Sequence, residues 1–217
     1  VNLDPTHVKR VILEVLSEMR AGDAADTAPV FRRPRHAPAS PPFAPKELAK
    51  IKAASPSRLA QGRTGTRYLT DTYIQLRAEH AVALDAVHSA VPDALPAQLG
   101  CIPCASRARD LQEYLLYPDQ GRRLSDDSRA LLEREGTRGA DVIIICGDGL
   151  SPWALTANGP ALMPALTLAL SATGFKLGKP VFVKHARVGV QDDIGALLGA
   201  KATVILVGER PGLGTGD

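Results

Sequence analysis

Asp141-Val-Ile-Ile-Ile-Cys-Gly-Asp-Gly-Leu-Ser-Pro152 decides the fold. Val142, Ile143, Ile144 and Ile145 are β-branched, and no polar residue alternates with them, as expected of a strand buried on both faces. The run breaks at Gly147-Asp-Gly149, after which Ser151 and Pro152 supply an N-cap and a first-turn proline for a helix. Two similar runs follow, Pro180-Val-Phe-Val-Lys184 and Ala202-Thr-Val-Ile-Leu-Val-Gly208. Helical patterns over 152–158, 161–173 and 190–198 separate them. Strands alternating with helices over short connections predict an α/β fold with a parallel sheet and right-handed crossovers. This domain is expected over residues 136–217. A chain that stops at Asp217 within a glycine-rich loop is expected to be incomplete at its C-terminus.

Upstream the pattern changes. Residues 46–135 read as a mainly helical domain with no firm strand. Asp71 to Val91 places Ile74, Ala78, Ala81 and Val82 on one face, with Leu76 and Val87 nearly opposite, so this helix is expected to pack against more than one neighbour. Ser125, followed by Asp126 and Asp127, is a good helix start. Residues 1–20 form an amphipathic helix with Val8, Val11, Ile12, Val15, Leu16 and Met19 as its apolar stripe. Residues 21–45, rich in Pro, Ala and Arg, read as a flexible linker that tethers the helix. The stripe therefore has two readings, a docking or targeting peptide and a terminal helix that packs on its own domain.

Composition excludes several classes. Of 217 residues 45% are apolar and 23% charged, which is ordinary for a globular protein. The formal charge of +3 does not indicate a nucleic-acid binder. A basic stretch from Arg32 to Arg63 carries few aromatic side chains and reads as solvated. No apolar run reaches membrane-spanning length, and the N-terminus has no secretory pattern. Three cysteines make no disulfide framework, so a reducing cytoplasm is the expected setting.

Chemistry-bearing motifs are sparse. Gly147-Asp-Gly-Leu-Ser-Pro152 lies where ligands bind in open parallel sheets. It lacks the ending of a P-loop, and a plain strand-to-helix turn is the simpler reading. Gly208-Glu-Arg-Pro-Gly-Leu-Gly-Thr-Gly216 places Glu209 and a glycine-rich loop at the same edge. Cys101-Ile-Pro-Cys104 has redox spacing, but Leu95–Gly100 before it makes a poor buried strand, so two incidental thiols are expected. His7, His36, His80, His88 and His185 are scattered, and only His185 falls at the ligand edge. No catalytic residue and no metal site is expected in this chain.

Gly62-Arg-Thr-Gly-Thr-Arg67, Pro118-Asp-Gln-Gly-Arg-Arg-Leu124, Asp148-Gly-Leu-Ser151, and Val181-Phe-Val-Lys-His-Ala-Arg-Val188 leading to Gly208-Glu-Arg-Pro-Gly-Leu-Gly214 occur in that order. Together they resemble the ethanolamine ammonia-lyase small (light) subunit over residues 57–217. The resemblance implies a helical domain followed by a Rossmann-like domain. It also implies a large partner subunit, a TIM barrel that carries the substrate site, with adenosylcobalamin held between the two. Carried onto this sequence, the family's cobalamin contacts fall at Val188 and Glu209. A third contact, in a cysteine-containing segment, would lie past Asp217. The Asp-x-His-x-x-Gly motif that supplies a cobalt ligand in another cobalamin class is absent. The N-terminal helix resembles those that direct this family into bacterial microcompartments, which implies a bacterial cytoplasmic setting. Competing readings are a stand-alone nucleotide-binding enzyme using the Asp148 and Glu209 loops, and a thiol oxidoreductase using Cys101 and Cys104.

Overall fold

A computed structural model describes residues 5–21, 50, 53–54, 61 and 63–209. The 21–45 linker lies largely outside the described residues, as does the glycine-rich loop past Glu209. The elements are α1 (Pro5–Ala21), β1 (Arg63–Thr64), β2 (Arg67–Tyr68), α2 (Thr70–His88), α3 (Leu95–Gln98), β3 (Ile102–Ala105), α4 (Leu111–Leu116), a 3-10 turn (Gln120–Arg122), α5 (Asp126–Glu135), β4 (Val142–Gly147), α6 (Pro152–Ala172), β5 (Val181–Lys184), α7 (Val190–Leu198) and β6 (Ala202–Val207). Four strands form a parallel sheet in the order β3-β5-β4-β6, so the α/β expectation is borne out.

All six residues of β4 are buried, because each face of the sheet meets its own apolar layer. Val142, Ile144 and Cys146 point into a core with Leu155, Met163, Leu166 and Leu170 of α6. Ile143 and Ile145 point the other way, toward Leu132 of α5 and Ile194 and Leu198 of α7. This alternation is the strand period of two acting on an uninterrupted apolar run.

Three expectations change. The stretch read as helical contributes β3, which pairs with β5. Its tetrapeptide Ile-Pro-Cys-Ala was missed because it is short and holds a proline. Pro103 is tolerated because β3 is an edge strand, where its missing N–H faces away from the sheet. The other outward position, Ala105, is satisfied by α5: its N–H donates to Ser128 Oγ (2.9 Å) and its carbonyl accepts from the Ser125 N–H (3.0 Å). That cover leaves little edge for another strand to pair with.

Second, the two helices expected over 152–158 and 161–173 are one helix through Pro160 and Pro164. Each proline removes one N–H and costs helix stability. Leu155, Gly159, Met163, Leu166 and Leu170 nevertheless keep one unbroken buried stripe, and burial on the sheet overrides the local penalty. Third, α2 buries only Thr72 and Ala86 within this chain. Ile74 is 59% and Leu84 47% exposed, so among the described residues α2 rests on α6 over a short contact and leaves much of its apolar surface uncovered.

α1 packs on α6. Val8, Val11 and Val15 are buried, and the His7 ring meets Phe175 edge-on at 5.7 Å. Of the two readings of the stripe, the structure displays local packing.

Candidate functional site

β4 leaves the sheet through α6 toward one face, and β5 leaves through α7 toward the other. The two strands are adjacent, so the gap between their C-terminal ends is the topological switch point where open α/β sheets bind ligands. A cleft of about 800 Å³, lined by residues 87–93, Gly149, Pro152, Lys184 and His185, opens at this edge, and the two strand ends are bridged by Asp148. Its Oδ1 accepts from the Gly149 N–H (2.8 Å) and the Ala186 N–H (2.9 Å), and its Oδ2 accepts from the His185 N–H (2.7 Å). A Cβ placed on Gly147 would meet the Ala186 Cβ at 2.6 Å, so the two strand ends already touch.

The bonds to Asp148 hold an uncommon backbone. His185 has φ 56°, the one positive φ outside glycine among the described residues, and such a conformation needs support from its surroundings. Burial pushes the Asp148 carboxyl above its ordinary value against the opposing effect of the three N–H donors. Burial likewise lowers His185, opposed by the Asp148 carboxylate 4.0 Å from Nδ1. Neither group has the free geometry of an acid–base pair.

The glycine motif is used internally too. Gly149 has φ +60°, and an added Cβ would overlap the Gly208 carbonyl. The Leu150 N–H donates to the Gly208 carbonyl (2.9 Å), and Ser151 is fully buried. With the Gly149 and Leu150 N–H groups taken and Pro152 lacking one, the start of α6 offers a phosphate little of what a nucleotide site provides. The loop is the strand-to-helix turn that the simpler reading expected.

Beside the bridged strand ends lies an exposed rim. Val188, four residues past β5, is 47% exposed, and Glu209, two residues past β6, is exposed. β5 and β6 flank β4, so the strands leading to the two residues lie about 10 Å apart across the sheet. Near this rim sits Tyr114, which sequence reasoning missed. Its hydroxyl donates to the Ala186 carbonyl (3.1 Å), and Arg187 stacks over its ring at 4.4 Å. Burial pushes the phenol up to about 12, opposed by Arg187 and aided by the Asp148 and Glu209 carboxylates. Glu209 is therefore within electrostatic reach of this cluster. Nothing in the sequence sets Tyr114 apart from Leu111, Leu115, Leu116 and Tyr117 beside it.

The cysteines take no part. Along the extended chain entering and forming β3, alternate residues face opposite ways, so Cys101 enters the α6-side core and Cys104 the α7-side core. The sheet itself stands between them, and a Cys101–Cys104 disulfide would require β3 to unfold. Burial pushes the Cys104 thiol up to about 12, which leaves it unreactive. The thiol oxidoreductase reading fails on this geometry. Among the described residues no cluster of three metal-ligating side chains forms, and no helix is long and apolar enough to cross a membrane.

Residues 45–217 match the family model described as ethanolamine ammonia-lyase light chain (EutC). The chain is 43% identical over 172 residues to the ethanolamine ammonia-lyase small subunit of Clostridium acetobutylicum, covering 79% of this chain and 71% of that protein. It is 41% identical over 172 residues to the Fusobacterium nucleatum small subunit and 39% over 168 residues to that of Listeria monocytogenes. These matches cover 79% and 77% of this chain but only 58% and 57% of the two relatives. An α/β sheet with its ligand edge exposed, and a match over most of the chain, agree: this chain belongs to the ethanolamine ammonia-lyase light-chain family.

Proposed function

We propose that this chain serves as the small subunit of an adenosylcobalamin-dependent ethanolamine ammonia-lyase. In this reading it helps hold the cofactor against a large TIM-barrel subunit that converts ethanolamine to acetaldehyde and ammonia. The observation that carries it is the rim: Asp148 ties the ends of β4 and β5 together, while Val188 and Glu209 stay exposed on either side of them.

Such an exposed rim suits a broad, rigid ligand that rests on the sheet edge. Glu209 is placed to accept hydrogen bonds from amide N–H groups at the corrin periphery, and Val188 offers apolar contact beside it. When bound, adenosylcobalamin supplies a weak cobalt–carbon bond whose homolysis starts radical chemistry. The residues of this chain then act by placement: Asp148 fixes the His185–Ala186 backbone, and Tyr114 and Arg187 hold the loop that presents Val188.

The test joins the full chain to its large subunit and measures hydroxocobalamin affinity by equilibrium dialysis. Glu209→Gln is expected to weaken binding roughly 3- to 10-fold, the loss of an exposed charge-assisted hydrogen bond, with unchanged thermal stability. Deamination of ethanolamine by this chain alone, or unchanged affinity after substitution of both Val188 and Glu209, overturns the reading.

A further inference from the structure

Pro118-Asp-Gln-Gly-Arg-Arg-Leu124 is one of the segments that carry the family resemblance, yet none of its residues contributes to the rim described above. The structure gives it a specific place. The Arg107 N–H, just past β3, donates to the Gln120 and Arg123 carbonyls (3.2 and 2.9 Å), and the Arg187 N–H, just past β5, donates to the Gly121 carbonyl (2.8 Å). The segment therefore spans the exits of two neighbouring strands. A Cβ on Gly121 would meet the Arg187 Cγ at 2.6 Å, so glycine is required for this close approach.

The turn presents a polar groove of about 370 Å³ lined by Arg107, Asp119, Gln120, Arg122 and Arg123. Three guanidiniums face one carboxylate there, and the Asp119 carboxylate already accepts from Gln120 Nε2 (2.6 Å). Arg107 has only a long contact to the exposed Asp126 (3.8 Å), and Arg123 shares Asp193 with Arg129. Arg122 makes no ion pair among the described residues. Its stem is nonetheless held, since the Cβ, Cγ and Cδ lie against Gly189 at 3.1–3.4 Å from the position of an added Cβ. Gly189 directly follows Val188. An excess of positive charge, anchored beside the proposed cofactor contact, calls for an anion.

We propose that this groove is an anion subsite whose guanidiniums, Arg122 first, take a phosphodiester. Resting on the function proposed above, that phosphodiester is the one in the nucleotide loop of cobalamin, whose corrin lies against Val188. The subsite divides the recognition work: Val188 and Glu209 read the ring, and the arginines read the tail. Arg122 is a binding residue in this scheme, with no part in the chemistry.

The experiment uses the full chain assembled with its large subunit and two probes, hydroxocobalamin and cobinamide, which lacks the nucleotide loop and its phosphate. Arg122→Gln keeps the stem against Gly189 and removes the charge. It is expected to weaken hydroxocobalamin binding roughly 3- to 10-fold, leave cobinamide binding unchanged and flatten the salt dependence. Arg122→Lys should recover part of the loss, and millimolar inorganic phosphate should compete with hydroxocobalamin in the parent protein but less in the Gln variant. Circular dichroism melting of each variant establishes that the fold is intact.

An equal loss for both probes, or no loss for either, overturns the proposal while leaving the assignment of Val188 and Glu209 standing. Weakened subunit association in sedimentation velocity, with hydroxocobalamin affinity of the assembled complex unchanged, gives the groove to an acidic surface of the large subunit and also overturns it. Failure of the parent complex to bind hydroxocobalamin overturns this inference and the proposed function together.

Discussion

Asp148 is a buried carboxylate whose hydrogen-bond donors are all backbone. A carboxylate accepts at both oxygens, and this one receives three N–H groups from the exits of two different strands. An asparagine side chain in its place could not do the same, because one of its two terminal atoms is itself a donor. Asp148→Asn is therefore expected to set an NH₂ against the His185 N–H and to cost about 1–3 kcal/mol, the penalty of a buried donor left without a partner. Urea unfolding reads the loss, and faster amide exchange at His185 and Ala186 would locate it. A variant as stable as the parent, with both amides still protected, would mean that His185 holds its positive φ by other means. Of this arrangement the sequence showed only that Asp148 lies after a buried strand. That its partners come from residues 185 and 186 depends on β4 and β5 being neighbours, which no local pattern encodes.

At the scale of elements, α1 and α2 make opposite cases. Both carry apolar side chains at helical spacing, yet α1 buries Val8, Val11 and Val15 against α6 while α2 leaves Tyr73, Ile74 and Leu84 exposed. Periodicity shows that a helix has an apolar face; it does not say whether a partner exists within the chain. Val11→Asp places a charge in the α1–α6 contact and is expected to release the helix, with a loss of roughly 2–4 kcal/mol from forfeited burial and charge desolvation. Denaturant melts combined with hydrogen exchange over α1 and Phe175 would measure it. Unchanged stability and exchange would mean that α1 does not pack on α6 in solution and would return its stripe to the docking reading. The prolines of α6 teach the converse lesson. The sequence pattern breaks between residues 158 and 161, but a stripe running from Leu155 to Leu170 on the sheet carries the helix through Pro160 and Pro164.

The whole molecule is tied across its α7-side layer by Asp193. The carboxylate accepts from the Leu124 N–H (2.9 Å) and from Arg129 (2.8 Å), with Arg123 at 3.4 Å. Burial pushes this carboxyl up, but the Leu124 and Arg129 hydrogen bonds and the two positive charges outweigh it, so it sits below its ordinary value of 3.8. A folded-state value depressed in this way contributes stability that is present above the ordinary value and is lost as pH falls through the lower, folded-state value. Asp193→Asn should therefore destabilise the protein by roughly 2 kcal/mol at neutral pH and flatten the fall in stability below about pH 4. Parallel urea titrations of parent and variant from about pH 3 to about pH 7 would test this, and an unchanged acid limb in the variant would assign acid sensitivity elsewhere.

The sequence by itself determined the parallel α/β core, because an unbroken β-branched run such as Val142–Ile145 is stable only when covered on both faces. It also determined the family, through ordered motifs. Only the tertiary structure decided that Cys101 and Cys104 face opposite cores, that Ile102–Ala105 completes the sheet, and that Asp148 bridges the ends of β4 and β5 while Val188 and Glu209 stay exposed. The physical reason is common to all three. Burial patterns and caps are local along the chain, whereas which strand ends meet, and what space remains between them, is set by strand order across the sheet.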